Sequence, residues 1–384
     1  MTDVLGVGIV GLGWMGQVHA RALSRLVQHY PDLPLRPRLV AAAETADDER
    51  LATAGRAYGF DRLLTDWREL IAHPEVELVC VTGPNFIHRD VAVAAAAAGK
   101  HVWVEKPAGR DLAETREIAE AVAAAGVRSA AGLNYRNAPA VELARSLVRS
   151  GRLGTVDHVS VRFLADYAAH PAGALTWRFT RELAGSGVLG DLVSHASDLV
   201  RYVAGDIRAL VADDARFVPK RPEAVGAASH FARGADGPLL DVENEDYVAA
   251  LLRLDSGARG VLESSRAAVG EQCTYGIEVH GTTGSLGWDF RRMGELRACL
   301  DQDYQNASFS TLYATPDDGE LGAFQPGAGI AMGYDDLKVI EALRLVRSIA
   351  GGEPQGATIE DAVVAARTVE AMRDSIAGHR WVTL

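Results

Sequence analysis

The sequence is poor in cysteine, in basic charge and in long apolar runs, and each scarcity excludes something. Its three cysteines, Cys80, Cys273 and Cys299, are scattered and lack CxxC spacing, so neither a disulfide framework nor a cysteine zinc site is signalled. There is no HExxH and no third ligand near any paired acid and histidine, so no metal is expected. Lysine and arginine number 39 against 51 acids, a net charge of -12, which disfavours nucleic acid and acidic membrane surfaces as partners. The longest apolar run, VAVAAAAAG from Val91, is too short to span a bilayer, and the N-terminus lacks the basic segment of a signal peptide. The expectation is a cytoplasmic, unprocessed chain. No internal repeat is visible.

What remains is an ordinary globular composition, 48% hydrophobic and 23% charged over 384 residues, long enough for two domains with their own cores. The chain is organised around its start, where the apolar run VGIV breaks into Gly11-Leu12-Gly13-Trp14-Met15-Gly16 and then into the helix-periodic QVHARALSRL. A strand, a glycine turn and a helix in this order are the context of a dinucleotide-binding fingerprint. Gly11 serves the tight turn, Gly13 the approach of a pyrophosphate and Gly16 the close packing of helix on strand. The helix N-terminus offers free amides to the anion. After a connection holding Pro31, Pro34 and Pro37, a strand is expected at Leu39–Ala43. It is closed by Glu44, whose carboxylate suits both hydroxyls of a ribose and repels a 2′-phosphate, hence NAD in preference to NADP.

Strands and helices alternate up to Pro107, as βαβ units require, which predicts a doubly wound parallel sheet. Beyond Leu133 the pattern changes. VDHVSVRF, DYVAALLRL, ARGVLESSR and TYGIEVHG alternate in period two and are joined by short turns, which predicts a mainly antiparallel open sheet. Long loops are expected at about 216–244 and 301–333, and two helices and a short strand at the C-terminus. The expected division is residues 1–132 for the dinucleotide-binding domain and 133–384 for an α+β domain that binds substrate and mediates assembly.

Five stretches, read together, resemble one family: GLGWMG at Gly11, PNFIH at Pro84, Glu105-Lys106-Pro107, NYRNAP at Asn134, and GSGVLGD at Gly185 followed by Ser194-His195. The chain is similar over nearly its whole length to the glucose-fructose oxidoreductase, inositol dehydrogenase and rhizopine catabolism family (Gfo/Idh/MocA). It departs from the family's commonest pattern at Ser186 and Val193, where glycine is frequent. The resemblance implies a Rossmann sheet binding NAD through Gly11, Gly13, Trp14, Met15, Gly16, Glu44, Thr82, Pro84, Asn85, His88, Glu105 and Lys106. His88 reads equally as a packed histidine at a helix start.

The resemblance also assigns Lys106, Asp191 and His195 to the catalytic centre, and elementary chemistry agrees with the assignment. Oxidising an alcohol by hydride transfer needs a base for the hydroxyl proton and positive charge where the alkoxide develops. Histidine suits the first role near neutral pH and lysine the second. Asp191, four residues before His195, shares its face on a helix and can orient the imidazole. The same two residues and Lys106, with Tyr135, Trp177 and Arg178, are expected to contact the substrate, an indole face suiting an apolar sugar face.

The expected reaction is NAD-dependent oxidation of a secondary ring hydroxyl in a sugar, glycoside or cyclitol. Within the family, AGSGVLGD, SH and DLVRYVAG most resemble enzymes acting on levoglucosan and glucosides at the third carbon. The readings left beside it are an inositol 2-dehydrogenase, a glycosidase that uses NAD transiently, and a catalytically silent dinucleotide-binding regulator. A homodimer or homotetramer built through the antiparallel sheet is expected, because that sheet carries apolar residues on both faces.

Overall fold

The computed structural model describes residues 3–45, 49–224, 232–234, 237–300 and 304–384. Contacts divide the chain into two units, Met1–Asn137 with Met332–Val363, and Ala138–Ala331 with Val364–Leu384.

The first unit is built on six strands, β1 (Asp3–Val10), β2 (Leu35–Ala43), β3 (Arg62–Leu64), β4 (Leu78–Val81), β5 (His101–Val104) and β6 (Ser129–Ala131). They lie in the order β3-β2-β1-β4-β5-β6, and every pairing is parallel. Five helices connect them, α1 (Trp14–His29), α2 (Glu49–Tyr58), α3 (Trp67–Ala72), α4 (Asn85–Ala97) and α5 (Leu112–Ala125). β4 is buried along its whole length, as a strand covered on both faces must be. The helix ends follow local chemistry. Asp66 caps α3 by accepting from the Arg68 amide, and α4 stops at Gly99, which adopts φ +73°.

The second strand begins at Leu35, four residues earlier than its prolines suggest, and Pro37 lies inside it. Pro37 pairs with Leu5 of β1, whereas β3 joins β2 only at Ala41–Ala43. Over its first half β2 is therefore an edge strand, where a missing N–H is tolerated.

The second unit starts with α6 (Pro139–Arg149) and β7 (Val156–Leu164), followed by α7 (Arg181–Ala184), a π-helical turn at Leu189–Val193 and α8 (Ser194–Ala204). Its remaining strands are β8 (Ile207–Ala215), β9 (Lys220–Pro222), β10 (Leu239–Asp241), β11 (Tyr247–Leu254), β12 (Arg259–Ser265), β13 (Thr274–Gly281), β14 (Gly284–Asp289), β15 (Glu295–Leu300), β16 (Ser310–Tyr313) and β17 (Val382–Thr383). Eight of these join β7 in one nine-stranded sheet in the order β16-β15-β14-β13-β7-β12-β11-β8-β17. All its pairings are antiparallel except β7 with β12.

Of the two long loops expected, the stretches 225–231, 235–236 and 301–303 lie outside the described residues. The rest is not structureless, since it holds β9, β10, β16 and a 3-10 turn at Tyr304–Asn306.

The last two helices are α9 (Tyr334–Ile349) and α10 (Ile359–Gly378). α9 belongs to the first unit, because Asp335 pairs with Arg21 at 2.6 Å and Asp336 with Arg25 at 2.7 Å, both along α1. A division at residues 132 and 133 thus separates α9 from the unit on which it packs. Among the described residues no helix is long and apolar enough to cross a membrane.

Candidate active site

In the first unit the glycine turn sits where β1 meets α1, and each glycine has its own reason. Gly11 has φ +94°, and a Cβ there would lie 2.6 Å from the Gly83 backbone. At Gly16 a Cβ would lie 1.9 Å from the Gly11 carbonyl oxygen. The Thr82 hydroxyl donates to that carbonyl at 2.7 Å and so fixes the turn. Gly13 differs. Its φ of -63° is open to any residue, and a Cβ would meet nothing within 4 Å. Among the described residues no packing requires glycine at this position, and the space a Cβ would enter is open. The first turn of α1 carries no acid and no side-chain cap, which keeps its amides available to an anion.

Glu44 stands beside this turn. Its Oε2 accepts from the Leu12 amide at 3.0 Å and its Oε1 from the Thr45 amide at 2.9 Å. Each oxygen retains acceptor capacity for a ribose hydroxyl. These residues fit a dinucleotide with its pyrophosphate at the start of α1.

Asn85 and His88 lie in the first turn of α4, after Pro84. The His88 ring is buried, 2.9 Å from the Pro107 carbonyl through Nδ1 and 2.9 Å from the Gly83 carbonyl through Nε2. Burial, against the pull of these carbonyls, lowers its pKa. A neutral ring has one N–H, so His88 donates to one of these two carbonyls while it packs between the turn after β4 and the turn after β5. Lys106 follows β5 and Glu105, and its peptide bond to Pro107 is cis. The Glu105 carboxylate is likewise turned inward, accepting from Lys338 at 2.5 Å and from His19 at 2.9 Å.

Trp14 is 62% exposed and stacks on Tyr334 at 5.4 Å. Tyr334 meets Tyr135 edge-on at 6.1 Å, and its hydroxyl lies 3.8 Å from the Met15 sulfur. A residue near the far end of the sequence thus joins the glycine turn to Tyr135.

In the second unit, Asp191 belongs to the π-helical turn and His195 to the first turn of α8. Such turns inside helices recur at functional sites. The Tyr167 hydroxyl donates to Asp191 Oδ2 at 2.5 Å, and Arg178 lies 3.9 Å from Oδ1, its guanidinium 4.5 Å over the Trp177 ring. Burial first, then the Asp191 charge, raise the Tyr167 pKa well above its ordinary value, so the phenol remains a donor. His195 is buried, and its carbonyl accepts from Tyr275 at 2.8 Å. Val193 is fully buried.

The approach to this helical segment is held by Glu245. Its Oε1 accepts from the amides of Gly187 at 2.8 Å and Leu189 at 3.0 Å, and its carbonyl accepts from Val188 at 3.1 Å. A Cβ on Gly187 would lie 2.1 Å from that carbonyl. The residues on either side of Glu245 are anchored as well. Arg266 donates to Asp246 and to Asn244, both at 2.8 Å, and Asn244 donates to the Arg178 carbonyl at 2.8 Å.

The oxidoreductase family's NAD-binding Rossmann fold matches residues 5–133, and the GFO/IDH/MocA C-terminal domain matches residues 141–287. The chain belongs to the Gfo/Idh/MocA oxidoreductase family. It is 33% identical to the levoglucosan dehydrogenase of Pseudarthrobacter phenanthrenivorans, over 98% of this chain and 97% of that one. It is 27% identical to the inositol 2-dehydrogenase of Rhizobium meliloti, over 89% and 96%. A levoglucosan dehydrogenase structure in complex with NADH and levoglucosan superposes with a TM-score of 0.91 at 32% identity, covering 99% of both chains.

For this family member, the sequence names the glycine turn, Glu44 and the Asp191–His195 segment. The structure sets beside them residues the sequence reading did not name, Tyr167, Glu245 and Arg266 in the second unit, and His19, Tyr334, Lys338 and Glu341 in the first. Asn244-Glu245-Asp246 reads as a solvated loop before a strand. Lys338 and Glu341 had a usable signal, since with Arg344 they are the charged residues of a helix stretch that is otherwise apolar, LKVIEALRLV. Among the described residues no group of three or more His, Cys, Asp or Glu gathers to hold a metal.

Proposed function

We propose that this enzyme oxidises a secondary ring hydroxyl of an uncharged cyclic polyol, a sugar, glycoside or cyclitol, with NAD as the acceptor. The observation that carries the reading is the balanced surrounding of Asp191. Arg178 is matched by the carboxylate, and Tyr167 adds a neutral donor, an arrangement suited to hydroxyls and not to a phosphate or carboxylate. The nearby Trp177 ring suits an apolar sugar face.

NAD, when bound, supplies the hydride acceptor. His195 accepts the hydroxyl proton. Asp191, fixed by Tyr167, holds the imidazole in the accepting tautomer. Lys106 supplies the positive charge that favours the alkoxide. The levoglucosan dehydrogenase among its relatives supports a pyranose as substrate, and the inositol 2-dehydrogenase makes inositol the second choice; within the pyranose the proposed position is the third carbon.

We infer that the enzyme works in the reducing cytoplasm, a reading supported by its few and scattered cysteines. It self-associates as a homodimer or homotetramer through the nine-stranded sheet. In support, Leu251 and Val261 pair across β11 and β12 while 52% and 47% exposed.

The test is reduction of NAD in bulk by a panel of levoglucosan, glucosides, myo-inositol, a sugar phosphate and a linear hydroxy acid. A cyclic neutral polyol should give NADH, and both Lys106→Ala and His195→Ala should lower kcat at least about a hundredfold. Near-normal turnover in both variants refutes the residue assignment. Glycoside cleavage without net NADH would favour the transient-NAD glycosidase. NADH binding without turnover on any sugar would favour the regulator.

A further inference from the structure

Beneath the Glu105-Lys106-Pro107 turn lies a fully buried polar cluster that the proposed reaction does not use. Lys338 of α9 is 0% exposed, yet its ammonium lies 2.5 Å from Glu105 and 3.1 Å from Glu341 Oε2. The Trp103 indole N–H donates to Glu341 Oε1 at 2.7 Å. On α1, His19 Nε2 lies 2.9 Å from the same Glu105 oxygen that Lys338 contacts, and its ring stacks on Trp103 at 3.8 Å. The other Glu105 oxygen accepts from the Lys106 backbone amide at 3.3 Å. Room for the carboxylate depends on Gly132, where a Cβ would lie 2.4 Å from it.

A buried lysine with two glutamates is a poor device for stability. Apolar residues of the same volume often serve as well or better. Its retention therefore calls for a role in geometry. The Glu105 carboxylate joins α1, through His19, and α9, through Lys338, to the Lys106 amide, while Trp103 of β5 donates to Glu341 of the same cluster. We propose that Lys338 is a positioning residue for Lys106. By clamping Glu105 it fixes the turn from which Lys106 projects and sets that turn against the start of α1.

The charge states agree with this geometry. Burial pushes the Glu105 carboxyl up, but the Lys338 ammonium and His19 outweigh it and hold it below the usual carboxylate range. Burial carries Glu341 up to about 7 despite Lys338, since one ammonium cannot neutralise two carboxylates. Burial lowers His19 to about 4, leaving it neutral and donating through Nε2. Glu105 is thus the fixed anion of the cluster and Lys338 its principal partner.

This inference rests on the dehydrogenase role of Lys106, so its test separates the two. The double variant Lys338→Met/Glu341→Gln removes one charge of each sign, preserves volume and keeps an acceptor for Trp103. It is compared with wild type and with Lys106→Ala by four measurements. These are hydrogen exchange of the 102–109 backbone without cofactor, NADH Kd by fluorescence titration, thermal midpoint, and kcat on the polyol that the panel identifies. The expected result is at least tenfold faster exchange in 102–109 and at least a tenfold lower kcat, with NADH Kd within threefold and a lowered midpoint, because Glu105 loses its principal partner. Unchanged exchange, or kcat within twofold, overturns the proposal. Loss of NADH binding together with kcat also overturns it, because the cluster then holds the whole unit together and does not aim one turn. Should Lys106→Ala keep full activity, the role of Lys106 itself falls, whatever the double variant does.

Discussion

Gly13→Ala separates what the cofactor requires from what the fold requires. At Gly13 the backbone has φ -63° and ψ -167°, and a Cβ would meet nothing within 4 Å. Two small effects on stability oppose each other. Alanine is the weaker N-cap residue by about 0.5–1 kcal/mol, and replacing glycine restricts the unfolded chain, a gain of about 0.4–1 kcal/mol. The net change should stay within about 1 kcal/mol. The ligand meets a different surface, because the methyl group occupies the room through which a pyrophosphate reaches the α1 amides. Losing that approach should weaken NADH at least about tenfold, equivalent to about 1.4 kcal/mol.

Gly16→Ala is the control with the opposite pattern. Its Cβ would lie 1.9 Å from the Gly11 carbonyl and 3.0 Å from the Thr82 hydroxyl, so α1 must shift and stability should fall by about 1–3 kcal/mol. Urea denaturation gives the stability of each variant and fluorescence titration gives NADH Kd. Gly13→Ala binding NADH within twofold of wild type would refute the reasoning, and so would a loss of stability above about 2 kcal/mol.

If Glu44 binds the ribose hydroxyls, wild type prefers NAD over NADP in kcat/KM, and Glu44→Ala narrows the ratio mainly by weakening NAD; equal values in wild type would contradict this. Tyr167→Phe removes the donor to Asp191 and leaves its ring in place, so kcat should fall about tenfold, the scale of one charge-assisted hydrogen bond, while NADH Kd stays unchanged. A normal kcat would leave Tyr167 a packing residue. Light scattering at micromolar concentration should report a dimer or tetramer, and Leu251→Lys should shift it toward monomer. A wild-type monomer would end the assembly proposal.

The parts of this molecule that were legible in its sequence are those written in local rules. The glycine turn is read from three positions, and the structure gives each a separate cause: a positive φ at Gly11, open space at Gly13 and a close carbonyl at Gly16. The two sheets are read from period and connection, since helices intervene between the parallel strands and short turns between the antiparallel ones. Glu44 is read from its place at the end of a strand.

What stayed hidden depends on which distant segment arrives. Pro37 argues locally against a strand, yet β2 accommodates it because β3 is too short to cover that edge. Glu245 and Asp246 look like solvated acids until β11 brings them under the amides of Gly187 and Leu189 and against Arg266. Tyr334 lies 319 residues beyond Met15 of the glycine turn, and Lys338 lies 233 beyond Glu105. The sequence motifs thus name the groups proposed to meet the reactants, while the residues proposed to aim them come from elements with no motif of their own. An aiming residue is constrained by distance and charge balance and not by chemistry at its own position. A glutamate under a helix start is recognised only once the fold has brought its partners within 3 Å, and a lysine in a mostly apolar helix stretch announces its burial but not the turn it lies under.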